Sequence, residues 1–437
     1  MKIIKLILLV FPLLCLSIQA QAQVRKKSRG KPKPKAETPI QARCSRGQDS
    51  IELIKIYNSL HGDTWLTKWN LSLPMDHWIG IRLSKTGCVS EIVISNNNLN
   101  GLIPAISLPV LVQLMLEDQK ISGDLPTLSN LPNLKALIIK SDELTGNLNS
   151  IERYINLEYL DIASPLVSGS IPSFDRSTKL EELYLEGDFT GPIPDFQRLL
   201  NLITIDISSK KISGSLPPFN SLTQLSKLSI SGTLIEGKIP DYSNLLKLRV
   251  LDLSENKLSG DLPDFSKLVY LESINLSNNK FTGNLPNLIN QKNIEEINFG
   301  ENDFSGGIPS YSKPKLRTIW LNNNQLTGTV PDFKSNPMVN SLNISFNQLT
   351  GYLPDFSGVP ALENINIEHN NLNGGIPDFS KIPRVISLKL NDNQFTGKIP
   401  DFSKIPKLQI LDLRNNNFKG KVPKFKKCPH LTDLKVS

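Results

Sequence analysis

The chain is poor in the residues that perform chemistry. Among its 437 residues it has only four histidines, four cysteines and four methionines. His61, His77, His369 and His430 lie far apart, and no two share the spacing of metal ligands. No glycine-rich phosphate loop, nucleophile elbow or Cys-x-x-Cys pair occurs. These absences argue against an enzyme and leave no residues to hold a cofactor or metal. Long apolar runs are also missing after the first residues. The opening stretch, MKIIKLILLVFPLLCLSIQAQAQ, has Lys2 and Lys5 ahead of a short apolar segment broken by Pro12, then Ala20-Gln21-Ala22. That pattern predicts a cleaved secretory signal over residues 1–22, and hence a secreted or cell-surface protein.

Secretion would place Cys44, Cys88 and Cys428 in an oxidising compartment, where neighbouring thiols pair. Cys44 and Cys88 flank one small module, whereas Cys428 stands at the far end. A Cys44–Cys88 disulfide is therefore expected, with Cys428 free. The formal net charge of +8 is equally local. Between Val24 and Arg46, nine basic residues face only Glu37, and they account for the whole excess. The rest is near neutral, which excludes a nucleic-acid partner. Residues 23–46, with their KPKPK run, cannot build a core and read as a solvated spacer. An electrostatic foothold on an anionic surface is the sharper alternative for this tail.

What the chain has in abundance is repetition. Glycines from Gly101 to Gly420 recur at steps of 22 or 23 residues. Such a period, with apolar residues in fixed phase, marks a solenoid whose units bury their faces only against one another. One clear unit is LRVLDLSENKLSGDLPDFSK, Leu248–Lys267. Leu251 and Leu253 alternate with Val250, Asp252 and Ser254, the pattern of a short strand with one buried face. Asn256 is placed to bond the unpaired backbone of the following turn, Gly260 marks the turn, and Asp264 can cap the outer segment. An aromatic at the Phe265 position in most units predicts a ring column on the outer side, with no binding role.

These residues, LxLxxNxLxGxIP in outline, resemble the plant-type leucine-rich repeats of receptor-kinase ectodomains and polygalacturonase inhibitors. The units are about one residue shorter than usual, as in secreted bacterial repeat proteins. The resemblance implies an α/β solenoid: a right-handed superhelix of about fifteen repeats plus a final strand over residues 91–437, with a parallel β-sheet on its concave face. Residues 47–90 resemble the helical N-terminal cap of the same proteins. There SIELIKIYNSL puts Ile51, Ile54, Tyr57 and Leu60 at helical spacing, and Trp65, Trp69 and Trp78 are expected in the capping core.

A site is expected on the inner strand face. Asn occupies the ladder position at Asn97 and from Asn256 to Asn416, but Gln119, Asp142, Pro165, Lys210 and Thr233 align there in between. The ladder thus reads as broken through six units. Those units offer Met115, Glu117, Ile138, Tyr159, Asp161, Glu182, Tyr184 and Glu186 at outward positions of neighbouring strands, the mixture a recognition patch needs. Trp320, followed by Phe346 and His369, is a second candidate. The repeated acids from Asp195 to Asp401 read as backbone caps rather than metal ligands. The leading function is recognition of an extracellular peptide, protein or glycan. The alternatives are inhibition of a secreted polysaccharide-degrading enzyme, through the Tyr159–Glu186 region, and adsorption to ice or a surface through Ser254, Ser277, Ser345 and their neighbouring asparagines.

Overall fold

The computed structural model describes residues 44–125, 128 and 130–436. The expected signal segment 1–22, and the basic segment except its last three residues, lie outside the described residues. Helix α1, Arg46–Ser59, turns Asp49, Glu52, Leu53, Ile56 and Tyr57 inward. The apolar spacing had pointed to Ile51 on this face, yet Ile51 is exposed. Two carboxylates set the helix rotation instead. Asp49 accepts the Val89 amide at 2.7 Å, while Glu52 accepts the Ser107 amide at 3.2 Å and pairs with Lys55 at 2.7 Å. A buried carboxylate must keep such partners, so its placement outweighs that of one isoleucine.

Trp65, Trp69 and Trp78 are buried as expected, and with Tyr57 they form a chain of ring contacts at 5.1–5.7 Å. Each indole N–H finds a carbonyl: Leu60 at 2.8 Å, Ile79 at 2.8 Å and Asn70 at 3.0 Å. The Cys44–Cys88 disulfide is present, with a Cα–Cα distance of 6.2 Å, and Cys428 is a buried free thiol. A cross-link closing 44 residues restrains the unfolded chain by about 4 kcal/mol on the loop-entropy account. Reduction should therefore speed amide exchange across Arg46–Ser59 while leaving the central repeats protected. Equal exchange rates with and without reductant would refute this.

The face strands are numbered here by themselves. β1, Ile81–Leu83, runs antiparallel to β2, Val89–Ser95. From β2 onward the strands are parallel, each in register with the next. β3 is Gln113–Glu117, β4 Ala136–Lys140, β5 Tyr159–Ser170, β6 Glu182–Gly191, β7 Thr204–Ser208 and β8 Lys227–Ser231. Nine three-residue strands follow, from Val250–Asp252 to Asp433–Lys435, making sixteen parallel strands among the described residues.

The change in strand length has a side-chain cause. In the later units the carboxamide ladder forms as expected. Asn302 donates to the carbonyls of Leu276 at 3.0 Å, Phe299 at 3.3 Å and Gly300 at 3.1 Å, and accepts the Phe281 amide at 3.0 Å. The residue before each of these asparagines, such as Glu301 at φ 57°, turns the chain and ends the strand. In most of the earlier units another side chain fills the ladder place, which corrects the sequence alignment by one residue at most positions; in the β6 unit Gly187 leaves the place without a side chain. Ser141, Ser164 and Ser209 hold the inward place and donate to the carbonyls of Ile121 at 2.7 Å, Leu144 at 2.7 Å and Phe189 at 3.0 Å. Asp118 accepts the amides of Asn97 and Leu99, each at 2.9 Å, and Thr233 bonds Asn256. A hydroxyl is shorter than a carboxamide and donates only one proton, so more backbone groups must pair with neighbouring strands. β4, β5, β7 and β8, whose units carry Ser141, Ser164, Ser209 and Thr233, accordingly run five residues or longer.

On the outer side the repeated aspartates cap as expected. Asp264, for example, accepts the Ser266 amide at 2.8 Å. Phe174, Phe196, Phe219 and Tyr242 stack in sequence at 6.2–6.5 Å. The column is interrupted where Leu288 stands in place of a ring.

Candidate functional site

Strand register aligns the outward side chains of β3 to β8 into rows. The first row is Gln113, Ala136, Tyr159, Glu182, Thr204 and Lys227, and the second is Met115, Ile138, Asp161, Tyr184, Asp206 and Ser229. The third begins Glu117, Lys140, Ala163, Glu186. Neighbours in a row stand about 4.8 Å apart, so side chains of unequal length shade one another.

That shading corrects two site assignments. Ile138 is only 3% exposed and Asp161 only 7%. In its row Ile138 stands beside the longer Met115 and next to Asp161, which is buried with it. Asp161 is drawn into an ion pair with Lys140, Nζ to Oδ2 2.7 Å. Burial pushes the Asp161 carboxyl above its ordinary value, and the lysine opposes that rise. Ile138 and Asp161 thus support the patch from beneath. Met115, Glu117, Glu182, Tyr159 and Tyr184 are partly exposed, and Glu186 is exposed.

Tyr159 and Tyr184 meet diagonally across adjacent strands, with ring centroids 5.5 Å apart and planes at 35°. The Tyr184 hydroxyl donates to Glu182 Oε2 at 2.7 Å. Lys227, paired with Asp206 at 2.6 Å, holds its ammonium 5.9 Å from the Tyr184 ring centre. Burial, reinforced by the surrounding carboxylates, raises both phenols well above their ordinary range. Both therefore stay neutral donors at any physiological pH. The pair is a stiff, part-apolar platform with a polar edge.

Beside this platform, along the third row, the surface sinks into a hollow of about 810 Å³. Its lining includes Glu117, Lys140, Asp142, Pro165 and Glu186 from the repeats and Leu66 from the cap. Lys140, Asp206 and Lys227 could have been found by extending the row alignment to both ends of the patch. Leu66 gave no signal, because nothing in the cap sequence shows which loop reaches the strands.

Trp320 is 42% exposed, and its indole N–H donates to Ser341 Oγ at 3.0 Å. Phe346 stacks on His369 at 4.2 Å, and His369 lies 3.3 Å from Asp392. Trp320 belongs to the middle of the face, whereas Phe346 sits past the strand ends, so the two are separate features. The serines considered for surface adsorption are occupied internally. Ser254, Ser277 and Ser345 each donate to the Asp252, Asn275 or Asn343 side chain at 2.6–2.8 Å. Among the described residues, no three His, Cys, Asp or Glu side chains are placed to share a metal ion, and no helix is long and apolar enough to cross a membrane.

Stacked units of about 23 residues, one parallel strand from each forming a continuous open face, define a repeat solenoid. Leucine-rich-repeat family profiles match residues 314–372, and again 247–268, 270–291 and 407–427. The chain is a leucine-rich-repeat protein with repeats of the plant type. Among solved structures it is similar to the Arabidopsis receptor kinase HAESA in complex with the peptide hormone IDA and the co-receptor SERK1. Identity is 27%, with 89% of this chain and 73% of that chain covered and a TM-score of 0.74. The ectodomain of the Arabidopsis thaliana receptor kinase GASSHO1/SCHENGEN3 shares the fold at 22% identity, covering 89% of this chain and 55% of that one, with a TM-score of 0.72. A leucine-rich-repeat protein of Leptospira interrogans matches at 25% identity over 74% of this chain and 91% of its own, with a TM-score of 0.53. The search of curated proteins returned no match. The profiles indicate no catalytic family.

Proposed function

We propose that the chain is an extracellular binding protein whose strand face takes an extended stretch of a peptide or protein partner, anchored on Tyr159 and Tyr184. The observation that carries this reading is the ring pair itself, held partly exposed on an in-register parallel sheet and fixed by Glu182 and Lys227. Rings already fixed in place add contact area at little entropic cost, which is why tyrosines dominate binding hot spots. From the Met115 strand to the Tyr184 strand the row advances three steps, about 14 Å, enough for roughly four extended residues lying across the strands. The likeness to HAESA, solved in complex with a peptide hormone, supports a peptide over other partners.

Tyr159→Ala combined with Tyr184→Ala should weaken capture of peptides from an arrayed library by at least about tenfold, as expected for two hot-spot rings. The circular dichroism spectrum should not change, since both side chains lie on the surface of a sheet whose core they do not enter. A matching loss on Ser277→Ala with Ser345→Ala would remove the tyrosines from their anchoring role.

A further inference from the structure

We propose that the hollow beside the tyrosine pair receives a cationic side chain, arginine or lysine, of the bound peptide. This inference rests on the peptide-binding reading and names the chemistry of one of its contacts. Four carboxylates line the hollow and none has an ion-pair partner among the described residues: Asp118 is occupied by the Asn97 and Leu99 amides, which leaves Glu117, Asp142 and Glu186. The cation in their midst, Lys140, is engaged with the buried Asp161 beneath it. The lining is therefore anionic after its internal pairing is counted. Cation sites elsewhere on the face are satisfied by comparison, since Asp206 has Lys227 and Glu91 has Arg82.

The second observation is apolar. Leu66 is 77% exposed, and it lines the same hollow as Pro165 and the aliphatic part of the carboxylate side chains. A surface leucine in a concavity is left unsatisfied by water but suits the methylene stem of arginine or lysine, whose head would reach the carboxylates. The three acids come from different repeats, with Glu117 and Asp142 on adjacent repeats and Glu186 two repeats beyond Asp142. No three of the acids converge as metal ligands do. An organic cation on a long flexible stem fits that spread, and the volume of about 810 Å³ exceeds what one such side chain fills, leaving room for its backbone. A cation seated here lies one strand position from Tyr184, because Glu186 follows Tyr184 on the same face of β6. One extended peptide can thus meet both features.

The test uses the full chain and an array of short peptides in which arginine, lysine, citrulline and glutamate are exchanged at every position. Retained peptides should carry arginine or lysine at one position. They should lose about tenfold in affinity on exchange to citrulline and again in Asp142→Asn with Glu186→Gln, with the loss shrinking at high salt. Binders that ignore charge yet depend on Tyr159 and Tyr184 would overturn the cation site while leaving the peptide reading in place. A preference for glutamate would also overturn it. If the array retains no peptide at all, both readings fall together.

Discussion

Asn302→Ala should cost the solenoid about 2–4 kcal/mol, a large effect for a polar residue. The Phe281 amide loses its acceptor, and stranding it away from water costs about 1–3 kcal/mol. The Leu276, Phe299 and Gly300 carbonyls lose the two shared protons of the Asn302 carboxamide but keep the Asn279 carboxamide, the Asn324 carboxamide and the Asn278 amide as second donors, so they add less. Because units contact only their neighbours, the loss should appear as a separate early transition in urea unfolding, confined to the later repeats. Lys280→Ala, at an exposed position one residue after the ladder residue Asn279, is the control and should shift stability by less than about 0.5 kcal/mol. Indistinguishable curves for the two variants would show that water or backbone rearrangement replaces the ladder.

Trp65→Ala should be at least as damaging at the other end. Its side chain is 1% exposed, contacts Tyr57 and Trp69 at 5.1 Å each, and donates to the Leu60 carbonyl. Truncating a buried tryptophan costs about 3–5 kcal/mol, and no neighbouring group is long enough to fill the space. The cap covers the first strands of the sheet, so its loosening exposes β2 and the apolar ends of the first repeats. The expected readout is concentration-dependent association together with faster amide exchange across Val89–Ser95. A monomeric variant with wild-type protection in β2 would mean that the cap tolerates the hole and that Trp65 contributes little to closing the solenoid.

The fold was largely legible because a period of 22 or 23 residues repeats the same statement fifteen times. The phase of Leu251, Asn256, Gly260 and Asp264 could be checked against every other unit, and the disulfide followed from two cysteines that bracket one small module. Side-chain detail was less legible where a residue could serve either of two geometries. Ser141 and Asp142 are adjacent and both polar, and only the inward turn of the serine shows that the hydroxyl occupies the ladder place. Likewise the alternation that correctly turned Tyr159 and Tyr184 outward says nothing about how deep an outward residue lies. Ile138 and Asp161 face the same way and are buried, Ile138 beside the longer Met115 and Asp161 under its ion pair with Lys140 of the adjoining row. Ile51 was misassigned for a related reason: hydrophobic spacing ignores the buried carboxylates, Asp49 and Glu52, that set the helix rotation.

The two kinds of ladder also decide how this chain can change its length. From Asn279 to Asn416 each carboxamide takes an amide of the preceding unit, 20 or 21 residues back, and reaches a carbonyl there 25 or 26 residues back. Removing or duplicating one full period in this stretch restores the same bonds between the units newly brought together. Those repeats are interchangeable links. The repeats from Asp118 to Thr233 instead mix a carboxylate, three serines, a glycine and a threonine at the ladder place, on strands of five to twelve residues, so an added period would bring unlike units together. Duplication can therefore lengthen the chain beyond the tyrosine pair without disturbing it, while the stretch that carries the pair can be altered only residue by residue.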